Sequence, residues 1–295
     1  MNDMTGKIII VTGANSGMGL ATTVELAKGG GHVVMACRSQ ARGEAALRQA
    51  LQESGSSKIE LMPLDLGSFD SIRVFASDFK AKYDRLDVLV NNAGVVTLKR
   101  ELTQDGYEAM MGVNHLGHFL LTNELLEPLQ RARQGRVVNV SSGAHKVGSI
   151  HLDDPNLGKG FNVIKGYAQS KLANILFTKE LARRLQQTKV TVNALHPGAV
   201  STSIGVNRDT GFGRAVHKLL GPFFLTAQEG ARTAIYLASS PEVEHVTGEY
   251  YVKCKPAKTT EKARDPKLAA RLWAWSEQQV GWKSDKGQRR DQSAH

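Results

Sequence analysis

The feature that most constrains this chain is the alternation of short apolar runs with longer segments of helical period. The runs read KIIIVTG, GHVVMAC, KIELMPLDL, RLDVLVNNAG, GRVVNVSS, KVTVNALHPG and GEYYVKC, in that order. Continuous apolar runs without a polar face are typical of strands buried on both sides of a parallel sheet. Intervening segments such as SFDSIRVFASDFKAKY have the period of amphipathic helices. The alternation predicts a doubly wound α/β domain.

This domain is expected to span residues 1–253, followed by a basic C-terminal extension, 254–295, with one short helix and a polar tail. Two segments interrupt the alternation, GAHKVGSIHLDDPNLGKGFNVIKG (143–166) and STSIGVNRDTGFGRAVHKLLGPFFL (201–225). Both follow predicted strands, and open α/β sheets bind ligands beyond the carboxyl ends of their strands. We therefore expect these two segments to form the walls of a site.

The formal net charge of +10 could indicate nucleic acid, acidic lipid or a phosphorylated ligand as partner. Much of the excess lies in KCKPAKTTEKARDPK and KSDKGQRRDQ, which we interpret as solvated loops and a tail. No zinc-finger or RNA-recognition pattern accompanies it, so nucleic-acid binding stays a minor alternative. Cys37 and Cys254 have no metal-ligand spacing and favour a reducing, cytoplasmic location. The amino-terminal sequence predicts neither a signal peptide nor a membrane span.

A glycine-rich turn follows the first apolar run, in TGANSGMG. Gly13, Gly17 and Gly19 stand where a strand would turn into a helix. Glycines permit the tight turn and a close backbone approach, while the helix amino terminus offers free N–H groups to a pyrophosphate. A merely tight turn is the alternative, but the strand–turn–helix context favours dinucleotide binding.

The end of the second apolar run indicates which dinucleotide is bound. NAD(H) sites place a carboxylate there for the ribose 2′-hydroxyl, whereas this chain has Arg38 and no Asp or Glu before Glu44. An arginine forms charge-assisted hydrogen bonds with a 2′-phosphate, which a carboxylate would repel. The hypothesis is NADP(H) over NAD(H); a solvated loop arginine is the alternative.

Tyr167 and Lys171 lie four positions apart at the start of a helical pattern, in KGYAQSKLANILF. Such residues share a helix face, with Cβ atoms roughly 5–6 Å apart, so a phenol and an ammonium can act on one site. An exposed helix surface is the alternative for this pair taken alone. Five of the nine histidines, His115, His118, His145, His151 and His196, form no i, i+4 ligand pair with a carboxylate partner, and we interpret them as ordinary. The sequence suggests no metal site.

TGANSGMG, NNAG (91–94), VNHLGHF, GRVVNVSS, YAQSK and HPGAV occur in the order and approximate spacing of the short-chain dehydrogenase/reductases. The chain resembles this family from residue 5 to about residue 253. ANSGMG, ACR, SKLANILFTKELARRL and the long insert before Tyr167 look most like the retinol dehydrogenase-like branch. The resemblance implies a Rossmann-type fold with a seven-stranded, mostly parallel sheet in the order 3-2-1-4-5-6-7. It also implies a homodimer or homotetramer.

By this resemblance the catalytic set is Asn114, Ser142, Tyr167 and Lys171. Tyr167 would exchange a proton with the substrate oxygen, Ser142 would hold that oxygen, and Asn114 would anchor a water leading from Lys171 to solvent. A cation about 5 Å from the phenol, at an effective dielectric of about 20, supplies about 3 kcal/mol toward the phenolate. Lowering the pKa of a tyrosine from about 10 to about 7 requires about 4 kcal/mol, so the nicotinamide charge should contribute as well.

The same resemblance assigns cofactor contacts to the glycine turn, to the ends of later strands and to the two catalytic residues of the helix. These contacts are Gly13, Asn15, Ser16, Gly17, Met18, Gly19, Arg38, Asp65, Leu66, Asn91, Asn92, Ala93, Gly94, Tyr167, Lys171, Pro197, Gly198, Val200 and Thr202. The loop 204–225 either closes over an apolar substrate or contributes to the core.

The resulting expectation is an NADP(H)-dependent oxidoreductase acting on a lipophilic ketone, aldehyde or secondary alcohol. The alternative is an NADP(H)-binding regulatory protein without turnover. A weaker third possibility is electrostatic binding to nucleic acid or membrane through the basic carboxyl end.

Overall fold

A computed structural model describes residues 2–198 and 226–282 of the 295-residue chain. Within this part lies one eight-stranded sheet of order β3-β2-β1-β4-β5-β6-β7-β8. The strands from β1 to β7 pair in parallel, while β7 and β8 are antiparallel. The strands are β1 Ile8–Thr12, β2 His32–Cys37, β3 Ile59–Pro63, β4 Val88–Asn91, β5 Gly135–Val140, β6 Val190–His196, β7 Tyr250–Val252 and β8 Lys255–Pro256.

The helices follow the strands as the alternation predicted. They are α1 Gly17–Lys28, α2 Gln40–Ser54, α3 Phe69–Lys82, α4 Ala109–Met111, α5 His118–Glu124, α6 Leu126–Arg131, α7 Val163–Arg184, α8 Ala227–Ser239, α9 Glu261–Arg264 and α10 Pro266–Val280. A π-helical turn, Gly112–Gly117, joins α4 to α5, and a 3₁₀ turn, Gly143–Val147, follows β5. The doubly wound α/β fold is thereby confirmed.

The central strands are buried on both faces, because successive residues of a strand pack into different cores. Ile10 packs in one cluster with Phe79 of α3 and Phe177 of α7. Ile9, the preceding residue, packs in the other with Val24 of α1 and Leu237 of α8. Side chains alternate between the two faces of a strand, so an unbroken apolar run satisfies both helical layers.

The eighth strand is a correction to the predicted seven. Lys253 and Cys254 have φ angles of 51° and 60°, and they turn the chain back so that Val252 pairs with Lys255. A two-residue hairpin with positive φ at both positions is usually marked by Asn-Gly or Gly-Gly. Because the sequence here is Lys-Cys, the usual hairpin signal is missing.

The extension predicted from residue 254 onward has two helices in its described part, and the longer one belongs to the core. Trp273 of α10 is buried and packs against Phe119, with ring centroids 4.8 Å apart, and against Phe177. The guanidinium of Arg184 lies 4.2 Å from the centre of the same indole ring. The predicted terminal helix thus corresponds to residues 266–280, which cover α5 and α7.

Across residues 2–198 and 226–282, none of the helices has the length and apolar character needed to span a bilayer.

Candidate active site

The glycine-rich turn brings the start of α1 against the ends of β1 and β4. Gly13 and Gly17 have φ angles of 63° and 52°, a region that side chains disfavour. A Cβ atom on Gly19 would lie 2.4 Å from the carbonyl oxygen of Gly13 and 2.6 Å from Nδ2 of Asn92. No side chain fits at residue 19, and the exposed start of α1 can face a phosphate directly.

A cleft of about 330 Å³ opens beside this turn, at the carboxyl ends of β1, β2 and β4. Most of the predicted cofactor contacts line it, and so do several residues that were not predicted. The predicted ones are Gly13, Asn15, Ser16, Gly17, Met18, Gly19, Arg38, Asp65, Leu66, Asn92, Ala93 and Gly94; the others are Ala36, Ser39, Arg42, Leu64, Val95, Val96 and Val113.

Two arginines, Arg38 and Arg42, lie at the β2 end of this cleft. Ser39 precedes α2 and accepts a hydrogen bond from the Arg42 amide, at 3.5 Å, so the first turn of α2 carries Arg42 to the cleft. The sequence signal for Arg42 was available in the Ser-Gln-Ala-Arg start of the helix. Among the described lining residues, Asp65 is the one carboxylate, and its Oδ1 accepts from the Gly67 amide at 2.9 Å.

Asn114 lies in the π-helical turn and is fully buried. Its side chain binds the backbone of Val95 twice: Oδ1 accepts from the Val95 amide at 2.8 Å, and Nδ2 donates to the Val95 carbonyl at 3.0 Å. Nδ2 also donates to Ser170 Oγ at 3.1 Å. The amide is therefore occupied in fixing the segment after β4 against α7.

The two serines after β5 have different roles. Ser141 is buried and donates to the Lys171 carbonyl at 2.7 Å, which ties β5 to α7. Ser142 precedes the 3₁₀ turn, accepts from the Ala144 amide at 3.2 Å and lies close enough to Tyr167 to lower the pKa of the phenol. Of the two hydroxyls, that of Ser142 is the one near Tyr167, and its assignment to the catalytic set stays a prediction.

Tyr167 and Lys171 share one face of α7, with Lys171 Nζ 5.6 Å from the centre of the phenol ring. Burial lowers the pKa of Lys171 to about 8, and Nζ donates to the Val140 carbonyl at 3.2 Å. Burial raises the pKa of Tyr167, and the hydrogen bond from Ser142 only partly opposes this. The direction is opposite to the one expected from the Lys171 charge, because desolvation of the phenolate is the largest cause and exceeds the lowering by Ser142.

Gly94 brings these groups to one point. A Cβ atom on Gly94 would lie 3.5 Å from Asn114 Oδ1 and 3.5 Å from Lys171 Nζ. Since Ser142 and Lys171 both lie beside the phenol of Tyr167, the four predicted catalytic residues are close together at the edge of the cleft.

Some predicted cofactor contacts lie elsewhere. Asn91 is buried between strands, where Nδ2 donates to Asn139 Oδ1 at 2.8 Å and to Thr122 Oγ1 at 2.9 Å, so its side chain does not line the cleft. Pro197 and Gly198 follow the end of β6. Val200, Thr202 and the loop 204–225 lie outside the described residues.

The insert before α7 is held down by Gln169, a residue the sequence analysis did not single out. This glutamine is fully buried; its Oε1 accepts from the His151 amide at 2.9 Å, and its Nε2 donates to the Pro155 carbonyl at 3.1 Å. Asn156 of the insert accepts from the Glu108 amide at 2.8 Å. The insert is thus a fixed wall between α7 and the segment after β4.

Comparison with known proteins agrees with this geometry. Residues 7–213 match the short chain dehydrogenase family. The chain is 47% identical to retinol dehydrogenase 14 from Homo sapiens, over 94% of this chain and 87% of that protein. It is 44% identical to retinol dehydrogenase 13 from Homo sapiens, over 94% of this chain and 85% of that protein.

Among solved structures, an uncharacterized protein from Mycobacterium paratuberculosis superposes with a TM-score of 0.79. It is 36% identical in sequence, and the match covers 96% of both chains. The chain therefore belongs to the short-chain dehydrogenase family of oxidoreductases, in its retinol dehydrogenase-like branch.

Proposed function

We propose that this oxidoreductase uses NADP(H) and transfers hydride between the nicotinamide and a lipophilic ketone, aldehyde or secondary alcohol. The observation that carries the cofactor choice is the pair Arg38 and Arg42 at the β2 end of the cleft. Two guanidinium groups there favour the extra phosphate of NADP(H), whereas a ribose 2′-hydroxyl alone would leave both without an anionic partner.

The described residues fit a dinucleotide. Gly19 lets the glycine-rich turn pack directly against Gly13 and Asn92 at the start of α1, and the cleft continues past Asn92 to Gly94, beside Lys171. The nicotinamide, when bound, donates or accepts the hydride. The side chains of the protein then have only to hold the substrate oxygen and move one proton.

Tyr167 is the proton donor in the reducing direction. Because burial raises the pKa of its phenol, the protonated form predominates at neutral pH and can protonate a carbonyl oxygen. The Ser142 hydroxyl accepts from Ala144 and keeps its own proton for the same oxygen. Lys171, whose pKa lies at about 8, is mostly cationic at pH 7 and stabilises the phenolate left behind.

Two features support a lipophilic substrate. The relatives described above are named retinol dehydrogenases, and retinol is a largely hydrocarbon alcohol. Leu98, Leu102, Val147 and Ile164 are large apolar side chains left exposed, and they lie after β4, after β5 and at the start of α7. Exposed apolar side chains at this end of the sheet favour a substrate whose hydrocarbon part moves from water into contact with the protein when its oxygen reaches Tyr167.

The cofactor proposal is tested by following NADPH and NADH oxidation at about 340 nm with aldehydes and ketones of graded size. Arg38→Ala should lower kcat/KM for NADPH about tenfold to a hundredfold, the value of a charge-assisted hydrogen bond, and leave NADH nearly unchanged. Arg48→Ala, an exposed arginine of α2 outside the cleft, is the matched control. An unaltered NADPH preference in Arg38→Ala would refute the assignment.

Tyr167→Phe separates an enzyme from a nucleotide sensor. It should lose turnover and keep NADPH binding, because the ring remains and only the proton-bearing oxygen is removed. Comparable turnover in this variant would contradict the mechanism. NADPH binding by the wild-type protein with no oxidation across the carbonyl panel would favour the regulatory alternative.

A further inference from the structure

We propose that His118 is a positioning residue that links the turn carrying Asn114 to the loop that lines the cofactor cleft. This proposal rests on the proposed function, because one of the linked elements carries the predicted catalytic residue Asn114 and the other lines the proposed cofactor cleft. The side chain is buried, with 3% of its surface exposed, and both ring nitrogens have partners. Nδ1 lies 3.1 Å from the Asn114 carbonyl oxygen, and Nε2 lies 2.9 Å from Thr12 Oγ1.

The π-helical turn explains why the Asn114 carbonyl accepts from a side chain. In an α-helix this oxygen would accept from the His118 amide, four residues on. Here the His118 amide bonds to the His115 carbonyl instead. The Nδ1–H group of His118 therefore donates to the Asn114 carbonyl in place of the backbone amide of the same residue.

The partners fix the tautomer of the ring. A carbonyl oxygen only accepts, so Nδ1 must carry the proton that is shared with Asn114. Burial lowers the pKa of His118 to about 4, with a smaller contribution from the cationic Lys171, so the ring is neutral and Nε2 is an acceptor. The hydroxyl of Thr12 then donates to Nε2.

The other hydrogen bonds of Thr12 also require that Thr12 donates to His118. Its Oγ1 accepts from the Asn92 amide at 3.0 Å and from the Ala93 amide at 2.9 Å. With both lone pairs engaged, the hydroxyl has only its proton left to give. Of its two acceptors, His118 Nε2 at 2.9 Å is closer than the Val90 carbonyl at 3.4 Å.

One imidazole thus completes an unbroken chain of hydrogen bonds from Ala93, in the cleft lining, to Asn114, which holds Val95. The chain joins the ends of β1 and β4 to the helix that follows, at residues that are far apart in sequence. Each half can be removed separately, because asparagine places an amide nitrogen near Nδ1 and glutamine places an amide near Nε2.

The experiment compares His118→Asn with His118→Gln, using NADPH affinity measured by direct titration and kcat measured with a carbonyl substrate. His118→Asn keeps the donor to Asn114 and loses the Thr12 bond, so the Kd for NADPH should rise about fivefold to tenfold while kcat changes less than about twofold. His118→Gln keeps an acceptor for Thr12 and should lower kcat about tenfold with little change in Kd.

His115→Asn is the matched control, since His115 is a buried histidine on the same segment that bonds to Ser276 Oγ, at 2.8 Å, and not to Thr12 or Asn114. His115→Asn should lower the unfolding midpoint, but it should not change the Kd for NADPH or kcat selectively, as the two His118 variants should. Parallel losses in both His118 variants, or the reverse assignment of the two effects, would overturn the proposal.

Two further measurements do not depend on the folding of the His118 variants. Nitrogen NMR of wild-type protein should show His118 protonated at Nδ1 and unprotonated at Nε2 between about pH 6 and pH 8, well above its lowered pKa. Thr12→Val should reproduce the weaker NADPH binding, and Thr12→Ser should restore it. A ring protonated at Nε2 would refute the network. Loss of wild-type turnover on every substrate would remove the proposed function but leave the Kd comparison intact.

Discussion

Lys171→Met should make the protein more stable while removing most of its activity. Lys171 is buried with 3% of its surface exposed, and burial lowers its pKa from 10.5 to about 8. At 1.36 kcal/mol per pKa unit, holding this ammonium in the folded protein at pH 7 costs about 3 kcal/mol relative to the unfolded chain. Methionine keeps the aliphatic stem and carries no charge.

The hydrogen bond that the substitution removes is a small loss. Lys171 Nζ donates to the Val140 carbonyl, but Asn174 Nδ2 also donates to this oxygen, at 3.1 Å, so no buried acceptor is left without a partner. A net loss of about 1 kcal/mol for that bond leaves Lys171→Met more stable by about 2 kcal/mol at pH 7. Turnover should fall by about a hundredfold or more, because the phenolate of Tyr167 loses its cation.

The pH dependence distinguishes this explanation from improved packing. A lysine whose pKa is lowered on folding destabilises the folded protein fully below pH 8, where the lysine is protonated in both the folded and the unfolded state. Above pH 10.5 the lysine is neutral in both states, and this destabilisation is absent. The advantage of Lys171→Met should therefore shrink as the pH rises from 7 to 10.

Urea unfolding at pH 7 and pH 10, without added nucleotide, measures this difference. Lys179→Met, on the same helix and donating to the Gly248 carbonyl at 3.0 Å, is the control for exchanging lysine with methionine. If Lys171→Met were no more stable than wild type at pH 7, or if the gap were equal at both pH values, the burial argument would be wrong.

Two other substitutions test the turn and the insert. Gly19→Ala forces a Cβ atom to within 2.4 Å of the Gly13 carbonyl, so the turn must open; NADPH affinity by titration should fall about tenfold or more, whereas Gly158→Ala, whose nearest atom would be 3.5 Å away, should not change it. Gln169→Leu leaves the His151 amide and the Pro155 carbonyl without partners, at a cost of about 1–3 kcal/mol each. Hydrogen exchange in residues 148–162 should accelerate selectively; unchanged exchange there would mean that Gln169 does not hold the insert.

Features with a periodic or local signal could be predicted from the sequence. The apolar runs predicted seven strands, because a strand buried on both faces has apolar residues at successive positions instead of alternating with polar ones. The spacing of Tyr167 and Lys171 predicted that both lie on one face of α7. The π-helical turn at Asn114 has no such signal, since one extra residue per turn leaves the composition unchanged. Lys253 and Cys254 likewise are not residue types that usually form a two-residue hairpin, so the turn to β8 could not be predicted.

Features that depend on tertiary burial could not be predicted. Coulomb attraction between Tyr167 and Lys171 follows from helix geometry, but the larger desolvation effect depends on the residues that surround the phenol. His118 looked ordinary for the same reason: its partner Thr12 is 106 positions away, and no local pattern joins them.

The position of α10 has a consequence for the order in which the protein can be made. Trp273 covers Phe119 of α5 and Phe177 of α7, the helix that carries Tyr167 and Lys171, yet it is synthesised after both of them. While residues 266–280 are still inside the ribosome, an aromatic surface of the nascent chain is bare and open to chaperones or to aggregation. We expect stop codons shortly before residue 266 to yield insoluble product even though the sheet and the nucleotide cleft are already encoded.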